Sequence, residues 1–237
     1  MVNNINDLNN MVKLKDSVNY VKKSRLYYPI NDNKSITKFK PWLGDAFSFL
    51  YNRIMEKSIF PRKFTGSISK HFEILKNELQ YIQNKNIVEI ATGIGDSAQY
   101  LNINNRYIGI DISPGLLKID SKRFETIRFK EAEFYIADAC DLPFEENQFD
   151  LALCNLSLNF FSNIEIFIAE LKRTLTPNGV FYCSIPVKNR LKKGTKIRGN
   201  IYFEDELKSF FISNKFGFSV FGYQNGALLY FTAICQK

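Results

Sequence analysis

Metal-binding chemistry is scarce in this chain before anything else is considered. It holds one histidine, His71, and four cysteines, Cys140, Cys154, Cys183 and Cys235, with no C-x-x-C pair among them. That set supplies no zinc-ligand spacing, so no metal site is expected. Cys154, Cys183 and Cys235 sit in apolar runs (LALCNL, VFYCSI, FTAICQ), where a thiol acts as a small core residue. No apolar run approaches the ~18 residues of a membrane span, and the opening MVNNINDLNN is polar, so the expectation is a cytoplasmic protein. Internal repeats are absent.

What is present is a core-forming composition and a lopsided charge. The 237 residues are 45% apolar and 15% aromatic, enough for one substantial α/β unit. The net charge of +8 comes wholly from residues 1–86, which hold 15 Lys/Arg against 7 Asp/Glu. A basic front segment reads first as a solvated surface, and otherwise suits an acidic substrate, a nucleic acid or a carrier protein. The neutral remainder weakens a nucleic-acid reading. We divide the chain into a basic cap or lid, 1–66, and a cofactor-binding domain, 67–237. Within the cap, residues 1–45 are weakly periodic and read as a lid or a frayed tail.

From residue 86 onward strand-like and helix-like pieces alternate. NIVEIA (86–91), RYIGID (106–111), EFYIA (133–137), FDLALC (149–154) and VFYCSI (180–185) read as strands. Helices are expected near 114–124, over Ile164, Phe167, Ile168 and Leu171, and near 204–212, with an earlier one from Ser69 to Ile82 capped by Ser69. Repeated βα units imply a doubly wound, Rossmann-like sheet. GFSVFGY and ALLYFTAIC, separated by Gln224, Asn225 and Gly226, predict a terminal antiparallel hairpin through an Asn-Gly type I′ turn. The expected fold is therefore α/β with a seven-stranded mixed sheet, preceded by a helical lid.

The stretch EIATGIGDSAQYL (89–101) carries the chemistry. Gly93, Gly95 and Ala98 spell G-x-G-x-x-A after a strand, a turn whose backbone N–H groups can approach a cofactor. Asp111, closing the next strand, is placed to accept from ribose hydroxyls. Those two features serve a nicotinamide dinucleotide and another nucleoside cofactor alike. Glu89 separates them: an acid inside an apolar strand beneath the turn would repel a pyrophosphate but favour an ammonium or sulfonium group. Asp138, after the third strand, is suited to grip an adenine edge.

E-x-A-T-G-I-G (89–95), Y-I-G-I-D-I-S (107–113), A-D-A-C-D-L-P-F-x-x-x-x-F-D (137–150) and L-x-R-x-L-x-P-x-G (171–179) together resemble the motifs of class I S-adenosylmethionine-dependent methyltransferases, in particular the small-molecule, methyltransferase type 11-like group that includes quinone-biosynthesis enzymes. The resemblance implies S-adenosyl-L-methionine as cofactor. By position, Glu89 would orient its amino-acid end, with Ala91, Thr92, Gly93 and Gly95 lining the turn. Asp111, with Ile112 beside it, would hold the ribose, and Asp138 and the Ala139 backbone the adenine. Asn155 would lie by the methionine moiety and Tyr51 would close over the cofactor. Two departures stand out: Ala91 replaces the usual first glycine, fitting if its backbone stays in an ordinary region, and Asn159-Phe160 replaces paired histidines.

Methyl transfer needs alignment and desolvation more than a base, and no catalytic residue is assigned; His71 reads as structural. The expected activity is methyl transfer to a small or medium-sized metabolite. Alternatives are an NAD(P)-dependent oxidoreductase, a non-catalytic cofactor-binding partner subunit and an RNA methyltransferase. The loop KNRLKKGTKIRG (188–199), with six cations, reads first as a solvated loop and otherwise as an attractor of a carboxylate, a phosphate or an acyl carrier at the pocket rim, and Tyr27, Tyr28, Trp42, Phe47 and Phe49 fit an aromatic or lipid-like pocket wall and core packing equally.

Overall fold

The structure is a computed structural model that describes residues 11–39 and 51–237, with Tyr51 and Asn52 described by their backbone alone. Trp42, Phe47 and Phe49 lie outside the described residues. The chain forms β1 (Asn19–Lys23), β2 (Leu26–Ile30), α1 (Tyr51–Ile54) running into a π-helical segment Met55–Phe64, α2 (Ile68–Leu79), β3 (Asn86–Ile90), β4 (Arg106–Asp111), α3 (Pro114–Thr126), β5 (Glu131–Ile136), β6 (Phe149–Asn155), α4 (Ile164–Thr174), β7 (Leu175–Pro186), α5 (Glu204–Ser213), β8 (Phe216–Val220) and β9 (Leu228–Cys235).

The nine strands form one sheet in the order β1-β2-β5-β4-β3-β6-β7-β9-β8. β5, β4, β3, β6 and β7 are parallel, and β9 pairs antiparallel to both β7 and β8. In β3, Ile87, Val88 and Ile90 are all fully buried, on both faces, as befits a central parallel strand under helices. The chain moves from β3 toward β5 on one side and from β6 toward β7 on the other. Direction therefore reverses between β3 and β6, which opens a crevice at their C-terminal ends.

The sheet has two strands more than the expected seven. Both come from the front segment, where a helical lid was expected. β1 and β2 form an antiparallel hairpin, and β2 pairs parallel to β5 through Leu26 and Tyr27. Tyr27 stacks on Tyr135 at 4.4 Å, and residues 13–15 are tied to the 143–145 loop by Lys15 N–H to Pro143 O and Glu145 N–H to Lys13 O. Residues 13–30 are thus bound along the sheet edge. Among the described residues of this segment, helical structure follows in α1 and the stretch after it.

The helix starts follow from their caps. Ser113 accepts from the Leu116 N–H with Pro114 at the first helical position, and Asn163 accepts from the Glu165 and Ile166 N–H groups. α2 begins one position earlier than expected, since its cap is Ser67, accepting from Lys70 N–H, and not Ser69.

The terminal hairpin is present, but Asn225-Gly226 does not make a two-residue turn. Residues 221–227 form a longer loop that lies against the end of the π-helical segment, where the Ala227 N–H donates to Phe64 O at 2.7 Å. Gly226 has φ +130°, and a Cβ there would collide with the Phe64 carbonyl and meet Thr65 O at 3.0 Å. Its lack of a side chain thus allows the close approach between the last hairpin and the front segment. Gly226→Ala should therefore destabilise the fold by about 1–3 kcal/mol, read as a lower urea midpoint at unchanged m-value.

Candidate functional site

β3 delivers its last residues into a loop of three left-handed positions: Ala91 (φ 55°), Gly93 (φ 61°) and Gly95 (φ 72°). The expectation that Ala91 keeps an ordinary backbone conformation is not met, and a Cβ in that region costs roughly 1–2 kcal/mol. Leu156, just beyond β6, is also left-handed at φ 58°, so strain sits on both flanks of the crevice. The loop closes into a single 3-10 turn, Asp96–Gln99.

Beneath this loop lies a buried polar cluster. Glu89 is 4% exposed, and its Oε2 accepts from Tyr107 OH at 2.7 Å, Thr92 Oγ1 at 3.2 Å and Ser97 Oγ. Burial pushes its pKa up, while these hydroxyl donors and Asn155 pull it back toward the charged form. Asp120, on α3, is fully buried; its Oδ2 lies 3.0 Å from Thr92 Oγ1, and its Oδ1 has no partner among the described residues. Burial, then the neighbouring Glu89 charge, hold the Asp120 carboxyl well above the usual carboxylate range. Of the two acids, Asp120, with a single donor, carries the proton. The Thr92 hydroxyl stands between the two acids, 3.2 Å from Glu89 Oε2 and 3.0 Å from Asp120 Oδ2.

Gly95 and Gly109 make room for that acid. A Cβ on Gly95 would stand 2.7 Å from Asp120 Cγ, and one on Gly109 would be 2.8 Å from Asp120 Oδ2. Gly95 therefore packs over α3 and does not line the crevice. Gly93 opens toward it, and a Cβ there would meet nothing within 4 Å. Asp120 was missed in the sequence although a sign was there: with Leu116, Leu117 and Phe124 it falls on the buried face of its helix.

The crevice is a cavity of about 400 Å³, within the ~300–1,000 Å³ of small-molecule sites. Of the residues singled out in the sequence, it brings together Glu89, Ala91, Thr92, Gly93, Asp111, Ile112, Asp138, Ala139 and Asn155. Gly95 lies outside it. The Tyr51 side chain is outside the described residues. Asp111 does not cap α3; its carboxylate accepts from Gly93 N–H and Ser113 N–H, both at 2.9 Å, which joins the loop to the end of β4. Asp138 Oδ1 accepts from Cys140 N–H at 2.9 Å, and Asn155 Oδ1 from Ser184 Oγ at 3.0 Å.

A second wall comes from the front of the chain: Met55, Phe60, Ile68, His71 and Phe72. His71 is thus a cavity residue, which its place at the edge of a helical pattern did not reveal. Tyr27 and Tyr28 do not line the cavity; Tyr27 packs in the sheet edge against Tyr135. The basic loop reaches the neighbourhood through Asn159, whose Nδ2 donates to Arg198 O at 2.7 Å and whose carbonyl accepts from Asn200 N–H at 2.7 Å. Phe160, Phe161 and Ser162, directly after it, line the cavity. Arg190 pairs with Glu204 and Lys188 lies over the Phe203 ring, while Lys192, Lys193, Lys196 and Arg198 are exposed. No group of three or more metal-ligating side chains occurs among the described residues.

Residues 88–183, from β3 to β7, match the family model described as a methyltransferase domain. An uncharacterized protein of Methanocaldococcus jannaschii, MJ1123, is 31% identical over 157 residues, covering 63% of this chain and 69% of that one. The chain belongs to the class I S-adenosylmethionine-dependent methyltransferases. A demethylmenaquinone methyltransferase of Symbiobacterium thermophilum is 30% identical over 102 residues, 41% of each chain, so the match spans about two-fifths of that relative's length. In fold, a SAM-dependent methyltransferase from Aquifex aeolicus superposes with a TM-score of 0.61 at 15% identity, over 84% of this chain and all of that one.

Asp120 gives this methyltransferase domain a testable pH signature. Its folded pKa is raised, so it favours folding fully below the unfolded carboxylate value near 4, and that contribution is lost as pH rises toward the folded value. Asp120→Asn should accordingly melt higher than the wild type at pH 7, with the difference shrinking as pH falls toward 4 in matched thermal melts.

Proposed function

We propose that the protein transfers a methyl group from S-adenosylmethionine to a small, largely apolar metabolite. The observation that carries this reading is one cavity with Glu89, Asp111, Asp138 and Asn155 set at or just beyond the C-terminal ends of β3, β4, β5 and β6. Three acids around a glycine loop suit a cationic nucleoside cofactor and oppose a pyrophosphate, which disfavours the nicotinamide alternative. The residues fit the cofactor by chemistry. Asp111 would hold the ribose hydroxyls, Asp138 and the Ala139 backbone the adenine, and Glu89 would act through the loop and Asn155 on the amino-acid end. Tyr51 is retained as a proposed cover.

When bound, S-adenosylmethionine supplies an electrophilic methyl on a sulfonium. The chain's own work is to align the acceptor, exclude water and favour dispersal of positive charge as the methyl leaves. Alignment alone can contribute roughly 7–11 kcal/mol. Met55, Phe60, Ile68 and Phe72 form the apolar wall where the acceptor would sit. An apolar acceptor agrees with the relative named as a demethylmenaquinone methyltransferase. The exposed cations of residues 192–198, anchored beside the cavity, favour an acceptor with an acidic end or an acidic carrier.

The test is transfer of labelled methyl from the cofactor into a cell-extract metabolite fraction, with variants. Losing a hydrogen bond to a charged group costs about 1.5–3 kcal/mol, so Asp111→Ala and Glu89→Gln should each weaken cofactor binding about 10–100-fold. Transfer that is absent from the wild type, or unaltered in both variants, would count against this reading.

A further inference from the structure

His71 is 2% exposed, lines the cavity, and makes one hydrogen bond: its Nδ1 lies 3.0 Å from Tyr230 OH. Its Nε2 has no partner among the described residues. The environment is aromatic, with Phe60 and Phe72 rings each at 5.4 Å and Tyr230 at 5.7 Å. Burial in that setting lowers the imidazole pKa to about 3, so the ring is neutral at physiological pH. A neutral imidazole has one N–H, and which nitrogen bears it decides whether His71 is a donor or a base toward the cavity.

The surrounding bonds settle the tautomer. The Ser67 backbone N–H, a donor only, faces Gln224 Oε1 at 2.9 Å, which fixes the orientation of that amide. Gln224 Nε2 consequently faces Tyr230 OH as a donor. Tyr230 accepts from Gln224, so its single proton points to its other partner, His71 Nδ1, which must be bare. Burial keeps Tyr230 in its phenol form, well above its ordinary pKa. The His71 proton therefore resides on Nε2. The chain Ser67, Gln224, Tyr230, His71 presents a fixed N–H donor where the ring meets the cavity, and in this state Nε2 cannot accept a proton.

We propose that His71 is the hydrogen-bond donor that orients the methyl acceptor, its Nε2–H binding a carbonyl, phenol or enolate oxygen on an otherwise apolar molecule. This rests on the methyltransferase reading for the identity of the occupant, while the donor itself stands on the bonding chain alone. Nε2 is the one unpartnered polar atom that His71 brings to a wall otherwise made of Met55, Phe60, Ile68 and Phe72. An acceptor there gains by meeting that donor with an oxygen, which a hydrocarbon group cannot do. Tyr230 and Gln224 act through His71 and are positioning residues.

The chain has a single histidine, so 15N-histidine labelling reports His71 alone. Long-range 1H–15N correlation should find the Nε2–H tautomer in the wild type and a mixture with Nδ1–H in Tyr230→Phe. Acetophenone should shift the Nε2–H resonance, whereas α-methylstyrene, its isostere lacking the oxygen, should not. Affinity for acetophenone should fall about tenfold in His71→Phe and recover in His71→Gln, which restores an N–H donor. An Nδ1–H imidazole in the wild type, or acetophenone binding unchanged in His71→Phe, overturns the assignment. The probes are titrated with and without S-adenosylhomocysteine, and calorimetry follows that ligand separately. No heat with S-adenosylhomocysteine sinks the methyltransferase reading, and the tautomer and acetophenone results on the free protein still decide His71.

Discussion

A carboxylate inside the central strand sets the terms for the whole C-terminal end of the sheet. Glu89 is surrounded by Ile87, Val88 and Ile90, all fully buried, and an ionised acid there is tolerable only with donors on it. Tyr107 comes from the neighbouring strand, Ser97 from the turn after the loop, and Thr92 from the loop itself. Satisfying one carboxylate oxygen thus fixes the path of the chain from residue 89 to 97. That path carries left-handed positions at Ala91, Gly93 and Gly95 and turns the Gly93 N–H onto Asp111. The loop, the end of β4 and the start of α3 are one polar unit.

The second acid makes that unit unusual. Asp120 sits against two glycines on two different elements, with one oxygen unmatched. Two carboxylates bridged by Thr92 cannot both ionise cheaply in such a setting, so one proton stays between them. The net charge beneath the loop is then a single negative charge on the Glu89 side, nearest the crevice residue Asn155. Asp111 and Asp138 add theirs along its wall. A basic chain of net charge +8 in this way presents an acidic cavity, with exposed cations on the nearby loop that is held to Asn159. Field and shape together favour a cationic cofactor on one side, and the apolar wall opposite is where we propose the acceptor sits.

Much of this could be read from residues alone, for reasons that differ by element. The central strands announced themselves as apolar runs because both faces are covered, and Glu89 was conspicuous because it broke one. The edge hairpin β1–β2 was not legible. NYVKK and LYYPI carry charge and a proline, and the partner that makes them strands, β5, is about a hundred residues away in sequence. Asn225-Gly226 misled because its local turn preference yields to a tertiary bond, Ala227 N–H to Phe64 O. Asp120 and His71 share another cause of concealment. Each falls on a buried helix face, and its meaning depends on what the sheet places opposite: Thr92 and Glu89 for one, Tyr230 and Gln224 for the other.

The acidic crevice is built for a cationic nucleoside cofactor and not for a dinucleotide. Calorimetric titration of the purified chain with S-adenosylmethionine, S-adenosylhomocysteine and NADH tests this directly. Saturable one-to-one binding of the first two ligands is expected, with no heat above dilution for NADH. Saturable NADH binding with no response to either S-adenosyl ligand would contradict it.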